Sequence, residues 1–223
     1  MRAAVAIARK DLLVELRTKE SVPAMALFAV TTFVIFHFGL DRNSLEGGLA
    51  AGVLWVTLLF AAILGINRLF VPEREQGGFD GLLMAPIERN SLLAAKAGAL
   101  IVYLLALEAI ALPVFALFFI DSGFWHALPL LAAVIVLADL GLAIVGAMLA
   151  SIAVHTRARD LLLPILLLPL TVPVMIAAAA ATKHLLAVPF DTGGVAKWLA
   201  VLALYDAVFG LLAYALFDFL MED

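Results

Sequence analysis

The sequence contains no cysteine, which excludes a disulfide framework and a thiolate metal site and leaves the redox compartment unmarked. Charge is also scarce. Asp, Glu, Lys and Arg make up 14% of the 223 residues, against ~25% in soluble domains, and no stretch is polar enough for a sizeable soluble domain. The net charge of -4 says little about partners, and nothing in the distribution of Lys and Arg suggests nucleic-acid binding. There is no H-E-x-x-H, no nucleophile elbow and no G-x-x-x-x-G-K-[ST] phosphate loop, so neither a metalloprotease nor a serine hydrolase is indicated, and the chain is not expected to hydrolyse ATP itself.

What is abundant is apolar surface: 65% of the residues are hydrophobic and the mean hydropathy is +1.14. An integral, all-α polytopic membrane protein follows. Six apolar runs approach or exceed the ~20 residues that a helix needs to cross the hydrocarbon core: Val22–Leu40, Gly48–Ile66, Leu92–Ile120, Ala127–Val154, Leu161–Ala181 and Trp198–Leu220. The third and fourth exceed that length, so tilting, kinking or extension beyond the bilayer is expected, with Pro113 a candidate kink. Residues 1–21 precede the first run and place Val5, Ala8, Leu12 and Leu16 on one helical face among Arg9, Lys10, Glu15, Arg17 and Lys19. That pattern predicts an interfacial amphipathic helix. Its charged part is too long for a secretory signal. Residues 22–223 are then the six-span domain. Its 182–197 segment carries Leu185, Leu186, Val188 and Phe190, is too apolar for a freely solvated loop, and is expected to dip back into the membrane, where irregular backbone must be shielded by protein or line a wet cavity.

Orientation follows from Lys and Arg. The amino-terminal segment holds five, the connection between spans two and three with the start of the third span holds four, and the next connection on that side holds two; the opposite side holds Arg42, Lys183 and Lys197. Eleven against three predicts that both termini face the cytoplasm.

The connection between spans two and three, Asn67–Ser91, is the long interior segment densest in charge. It opens with Arg68, Glu73, Arg74, Glu75 and Gln76, breaks at Gly77-Gly78, then sets Phe79, Leu82 and Leu83 at i, i+3 and i+4 before Pro86. This is the pattern of a short helix with one apolar edge, stopped by proline, which can lie on the membrane surface or dock on a soluble partner. An ordinary connecting loop fits the same pattern.

Three acids lie within the spans: Glu108, Asp139 and Asp206. Each costs ~2.5–3.5 kcal/mol on insertion scales unless partnered or protonated. No Lys or Arg occupies the middle of a span, so ion pairing cannot serve them there. Glu108 and Asp139 are expected to face the bundle interior or a wet cavity, at least one of them protonated or hydrogen-bonded to a neighbouring helix, in a role either structural or connected with transport. The four histidines sit at span ends, as polar aromatics commonly do. Ala143, Ala147 and Ser151, with Gly141 and Gly146, permit close helix approach in the fourth span. Pro164, Pro169 and Pro173 can kink or break the fifth.

These residues support a resemblance. The string Glu73-Arg74-Glu75, Gly77, Asp80, Leu82-Leu83, Pro86 and Lys96 resembles the coupling-helix region of ABC-2-type permeases, the membrane subunits of ABC transporters. More narrowly, Leu54-Trp55-Val56, Arg68-Leu69-Phe70 and Leu168-Pro169-Leu170-Thr171-Val172-Pro173 resemble the CcmB family, the haem-exporter permease subunits of the cytochrome c maturation system, over essentially the whole chain. The resemblance implies a homodimer in the bacterial inner membrane, driven by two copies of a separate ATPase subunit, CcmA. CcmC, CcmD and the haem chaperone CcmE complete the implied assembly. It implies Phe79, Leu82 and Leu83 seated in the ATPase, with Glu73, Arg74 and Asp80 as rim contacts. It implies no covalently bound cofactor, and haem as a transported or partner-held ligand. The three tryptophans, Trp55, Trp125 and Trp198, are scattered, unlike the tryptophan-rich outer loop of the haem-handling partner CcmC. Competing readings are an ABC-2 subunit exporting lipid, polysaccharide or drug, an ion-coupled transporter using Glu108 and Asp139, and a non-transporting scaffold.

Overall fold

The computed structural model describes residues 2–42, 44–75, 89–120, 124–153, 156, 159–187 and 192–220. Among them are eight helices: α1 (Arg2–Thr18), α2 (Ser21–Leu40), α3 (Gly47–Arg68), α4 (Val71–Glu75), α5 (Arg89–Phe119), α6 (Phe124–Ala153), α7 (Arg159–Leu185) and α8 (Val195–Leu220). Six of these, all but α1 and α4, are long and apolar enough to cross a membrane. The chain is therefore a polytopic all-α membrane protein, and the six helices coincide with the six apolar runs. At 31 residues, α5 is ~46 Å long. It stays helical through Pro113 and projects beyond the hydrocarbon thickness, as its sequence length requires.

Helix α3 is the central element. It packs against α2, α5, α6 and α7, and its buried face runs from Ala50 to Ile66. Close approach depends on missing side chains. A Cβ on Gly65 would lie 2.7 Å from Met25 Sδ of α2, and one on Gly146 of α6 would lie 2.7 Å from Ile66 Cδ1. Ala143, Ala147 and Ser151 are also buried within the chain, so the small-residue surface of the fourth span serves contacts inside this bundle. In apolar surroundings, where the hydrophobic effect between helices is weak, such close packing is a main source of association.

Polar groups across the bundle are satisfied in pairs. The Trp55 indole N–H of α3 donates to Thr182 Oγ1 of α7 at 2.8 Å, both side chains being buried. Helix α7 runs unbroken through Pro164, Pro169 and Pro173. Those prolines remove the backbone donors of the carbonyls four residues earlier. Nearby, Thr171 Oγ1 donates to Leu167 O at 3.0 Å, and Tyr205 of α8 ties that helix to α7 through Leu170 O at 2.8 Å.

The end of the bundle away from α1 is closed by aromatic packing and backbone ties. Phe33, Phe115 and Phe119 pack with ring centroids 5.3–6.0 Å apart. The N–H of Leu45 donates to Phe119 O, and that of Gly47 to Leu186 O. Of the segment expected to dip into the membrane, Thr182–Leu185 complete α7, Leu185 and Leu186 are buried, and Val195–Lys197 begin α8; 188–191 lie outside the described residues.

Substituting Gly146→Ala should overpack α6 against α3 and lower stability by ~1–3 kcal/mol. Adding Ile66→Val, which removes the nearer of the two clashing methyl and methylene groups, should recover part of the loss. Thermal unfolding in detergent micelles measures both.

Candidate functional site

Helices α1, α3, α4 and α5 converge at one end of the bundle on a buried cation. Helix α3 ends at Arg68, Leu69 caps it with its N–H bonded to Ile66 O at 3.2 Å, and the chain turns into α4. The last carbonyls of a helix lack intrahelical donors, and Leu69 O takes one from Lys96 Nζ of α5 at 3.0 Å. Pro72 falls in the first turn of α4, where a missing N–H costs nothing. Glu73 follows it, an acid in the first turn, and that turn directs its carboxylate into the bundle.

Lys96 is fully buried (0% exposed) and Glu73 nearly so, at 5%. The ammonium lies 2.8 Å from Glu73 Oε1 and 2.9 Å from Asp11 Oδ2 of α1. The ammonium thus donates to Leu69 O and Glu73 Oε1 and is ion-paired with Asp11, and the Phe70 ring lies 4.8 Å away as a cation–π partner. Lys10 of α1 bonds to the same Glu73 Oε1 and lies 3.0 Å from Asp11 Oδ1. Two ammonium groups and two carboxylates therefore balance. Burial alone would lower the Lys10 pKa, but hydrogen bonds to Glu73 and Asp11, with the charges of both, outweigh it and hold the pKa above 10.5. The Tyr103 hydroxyl of α5 donates to the Asp11 carbonyl at 3.2 Å, a second fastening of α1 to α5.

The same end holds a second device. Glu15 of α1 accepts the backbone N–H groups of Ser21 at 3.0 Å and Val22 at 2.8 Å, capping α2 with a carboxylate where the helix dipole is positive. The elbow between the helices passes through Lys19 at φ 53°. Beside it, Asp11, Glu15, Glu20, Asn67, Arg68 and Tyr103 help line a cavity of about 600 Å³.

The expected helix is present, and Ala8 and Leu12 of its expected apolar face pack against the bundle. Ile7 and Asp11 are buried against the bundle, while Val5 and Leu16 are exposed and form a separate apolar stripe. Asp11 was not among the residues that the sequence singled out; the signal that could have found it is Lys96, a lone cation near the start of an apolar run that must draw carboxylates to itself. Of the residues expected at a partner contact, Glu73 is turned inward and paired within the chain instead of standing at a rim. Arg74 and Glu75 belong to α4; Gly77, Asp80, Leu82, Leu83 and Pro86, with Phe79, lie outside the described residues. Glu108 and Asp139 face the interior of the bundle at 4% and 2% exposure, as expected, and meet each other across the contact between α5 and α6. Asp206 of α8, 7% exposed, lies against Gly141 of α6, whose absent Cβ would fall 2.8 Å from Asp206 Oδ1.

Six spanning helices with a charged cluster gathering α1, α4 and α5 at one end define a multi-pass helical membrane protein with no sizeable domain outside the bundle among the described residues. Comparison of the sequence with protein families places it further: the family model described as "CcmB protein" matches residues 2–217, and the chain belongs to that family. Among curated relatives, "Heme exporter protein B" of Paracoccus denitrificans is 35% identical, over 72% of this chain and 73% of the relative. The protein of the same name from Bradyrhizobium diazoefficiens is 32% identical over 96% of both chains, and that of Pseudomonas aeruginosa 28% identical over 88% of this chain and 86% of its own.

Removing the buried cation by Lys96→Met should leave Asp11 and Glu73 with the half-exposed Lys10 as their one counter-charge within the cluster and cost about 3–5 kcal/mol. Adding Glu73→Gln should recover much of it, which thermal unfolding of the double variant would show. The sign of the pH response also follows. A raised lysine pKa stabilises fully below the unfolded value of 10.5 and loses that contribution as pH rises through the folded one. Lys10's hold on α1 should therefore be constant from pH 6 to 9, on the order of the range accessible to amide exchange after correction for its intrinsic rate.

Proposed function

We propose that this chain is the membrane permease subunit of an ABC transporter for cytochrome c maturation, and that the cluster around Lys96 joins its ATPase-contacting segment to the spans. Family membership and the relatives' name, heme exporter, support the first part. The observation that carries the second is the position of Glu73: it stands at the head of the charged segment and is bonded to Lys96 of α5 and Lys10 of α1. A push on that segment reaches two further helices through ionic contacts.

In this reading the chain lies in the bacterial inner membrane as a homodimer, with both termini and the 67–91 segment in the cytoplasm, as the eleven-to-three distribution of Lys and Arg favours. A CcmA-like subunit supplies ATP hydrolysis. Phe79, Leu82 and Leu83 seat in a groove on it, with Arg74, Glu75 and Asp80 at the rim, Gly77 allowing the turn into this helix and Pro86 ending it. Glu73 acts behind the contact. Closure of the ATPase dimer moves the segment, and α5 and α1 follow as attached elements. CcmC-like and CcmD-like membrane proteins and a CcmE-like haem chaperone complete the assembly, whose output is haem export or release of the haem-loaded chaperone; haem is cargo or a partner's ligand.

Co-purification with the ATPase subunit tests this reading. Leu83→Glu and Asp80→Lys should each weaken the complex, Leu83→Glu by about 2 kcal/mol or more, roughly thirtyfold, with ATP hydrolysis in lipid falling in step while the chain remains inserted. A complex unaffected by both substitutions would move the contact elsewhere, and absence of any ATPase partner for the wild type would refute the reading.

A further inference from the structure

The two acids that meet between α5 and α6 are not used by the coupling scheme. Burying a carboxylate in a membrane bundle is costly unless it is paired or neutralised, and here the ordinary partners are missing. Among the described residues no donor reaches Glu108 Oε2 or Asp139 Oδ2, both of which are buried. Helix α5 carries Arg89 and Lys96 in its first turns and no Lys or Arg after them, and α6 carries none at all.

The elements packed against the pair supply no cation either. On α1, Lys10 and Asp11 are engaged at Lys96, about 18 Å along α5 from Glu108. On α2, His37 lies at the other end, with its Nδ1 3.1 Å from Phe118 O. Helix α3 has no charged residue before Arg68, and α7 none between Asp160 and Lys183. On α8, Tyr205 donates to Leu170 O, and Asp206 lies against Gly141. What remains in reach of each carboxyl is the other, from a different helix.

Two carboxyl groups attract each other only when a proton lies between them; two carboxylates repel. We propose that Glu108 and Asp139 form an intramembrane proton-binding site, one proton shared by two nearly fully buried carboxyls whose outer oxygens have no other donor, and that this proton fastens α5 to α6. The ligand is the proton itself. Loss of it sets two like charges against each other in a dry contact and favours parting of the two helices; its return closes them. The site lies on the same helix as Lys96, so any displacement of α5 along its axis also changes the geometry of the pair. The proposal does not depend on the identity of the transported substrate.

The test is infrared spectroscopy of the full chain in lipid vesicles at neutral pH, comparing wild type with Glu108→Gln, Asp139→Asn and Asp206→Asn. The proposal expects a protonated-carboxyl C=O component, shifted in deuterium oxide, whose frequency changes in Glu108→Gln and in Asp139→Asn, where the carboxyl partner of the shared proton is lost, and stays in place in Asp206→Asn. An amide N–H then takes the place of the shared proton, so thermal unfolding of Glu108→Gln should stay near wild type while Glu108→Ala unfolds at distinctly lower temperature. A wild type without such a component, a component left unchanged by both amide variants, or equal destabilisation by Gln and Ala would each overturn the shared-proton site.

Discussion

A lysine ammonium buried in apolar surroundings must be met by counter-charge and hydrogen-bond acceptors, because the desolvation cost of an unpaired ion is several kcal/mol. Lys96 imposes that demand on this fold. Its oxygen partners come from three different places in the chain: the carbonyl that ends α3, the carboxylate of α4 and the carboxylate of α1. Of these elements, α4 and α1 depend on Lys96 most. Helix α4 has five residues, and α1 offers the bundle a face that includes an acid. The cation therefore organises one end of the molecule.

The rest of the bundle is held by contacts that need no charge. Glycines at 65 and 146 bring α2, α3 and α6 to a separation that a methyl group would prevent, and paired donors and acceptors such as Trp55 with Thr182 satisfy polar atoms away from water. The resulting frame is tight around α3 and open at α2 and α8, whose outward faces carry Leu27, Ile35, Leu204 and Leu211 in exposed positions. Exposed apolar residues on spanning helices are what a lipid or a second membrane chain would cover.

The architecture was legible in the sequence because its signal is length and hydropathy, quantities that a membrane span must satisfy by itself. The inward placement of Glu108 and Asp139 was legible for a related reason: lipid forbids the alternative. Contacts were harder to read. Nothing local marks Asp11 as buried: the hydrophobic pattern of α1 offers Val5, Ala8, Leu12 and Leu16, of which Ala8 and Leu12 pack against the bundle, while Ile7 and Asp11 beside them are buried and Val5 and Leu16 are exposed. Glu73 reads as a surface acid within a charged string, and its neighbours give no sign that α4 turns it toward α5. The three prolines of the fifth span suggested a kink or a break, and α7 continues as one helix through them, packed against α3, α6 and α8. In each case the deciding group lies far away in sequence.

Hydrogen–deuterium exchange of the full chain in lipid nanodiscs, comparing wild type with Glu73→Ala, tests the central claim most directly. If the cluster around Lys96 joins α1, α4 and α5, removing the Glu73 carboxylate should speed exchange in α1 and at the amino-terminal turns of α5 together, while the α3–α7 contact around Trp55 and Thr182 keeps its protection. Unchanged protection in α1 would mean that the amphipathic helix is held by other means, and the proposed connection between the charged segment and the spans would have to be abandoned.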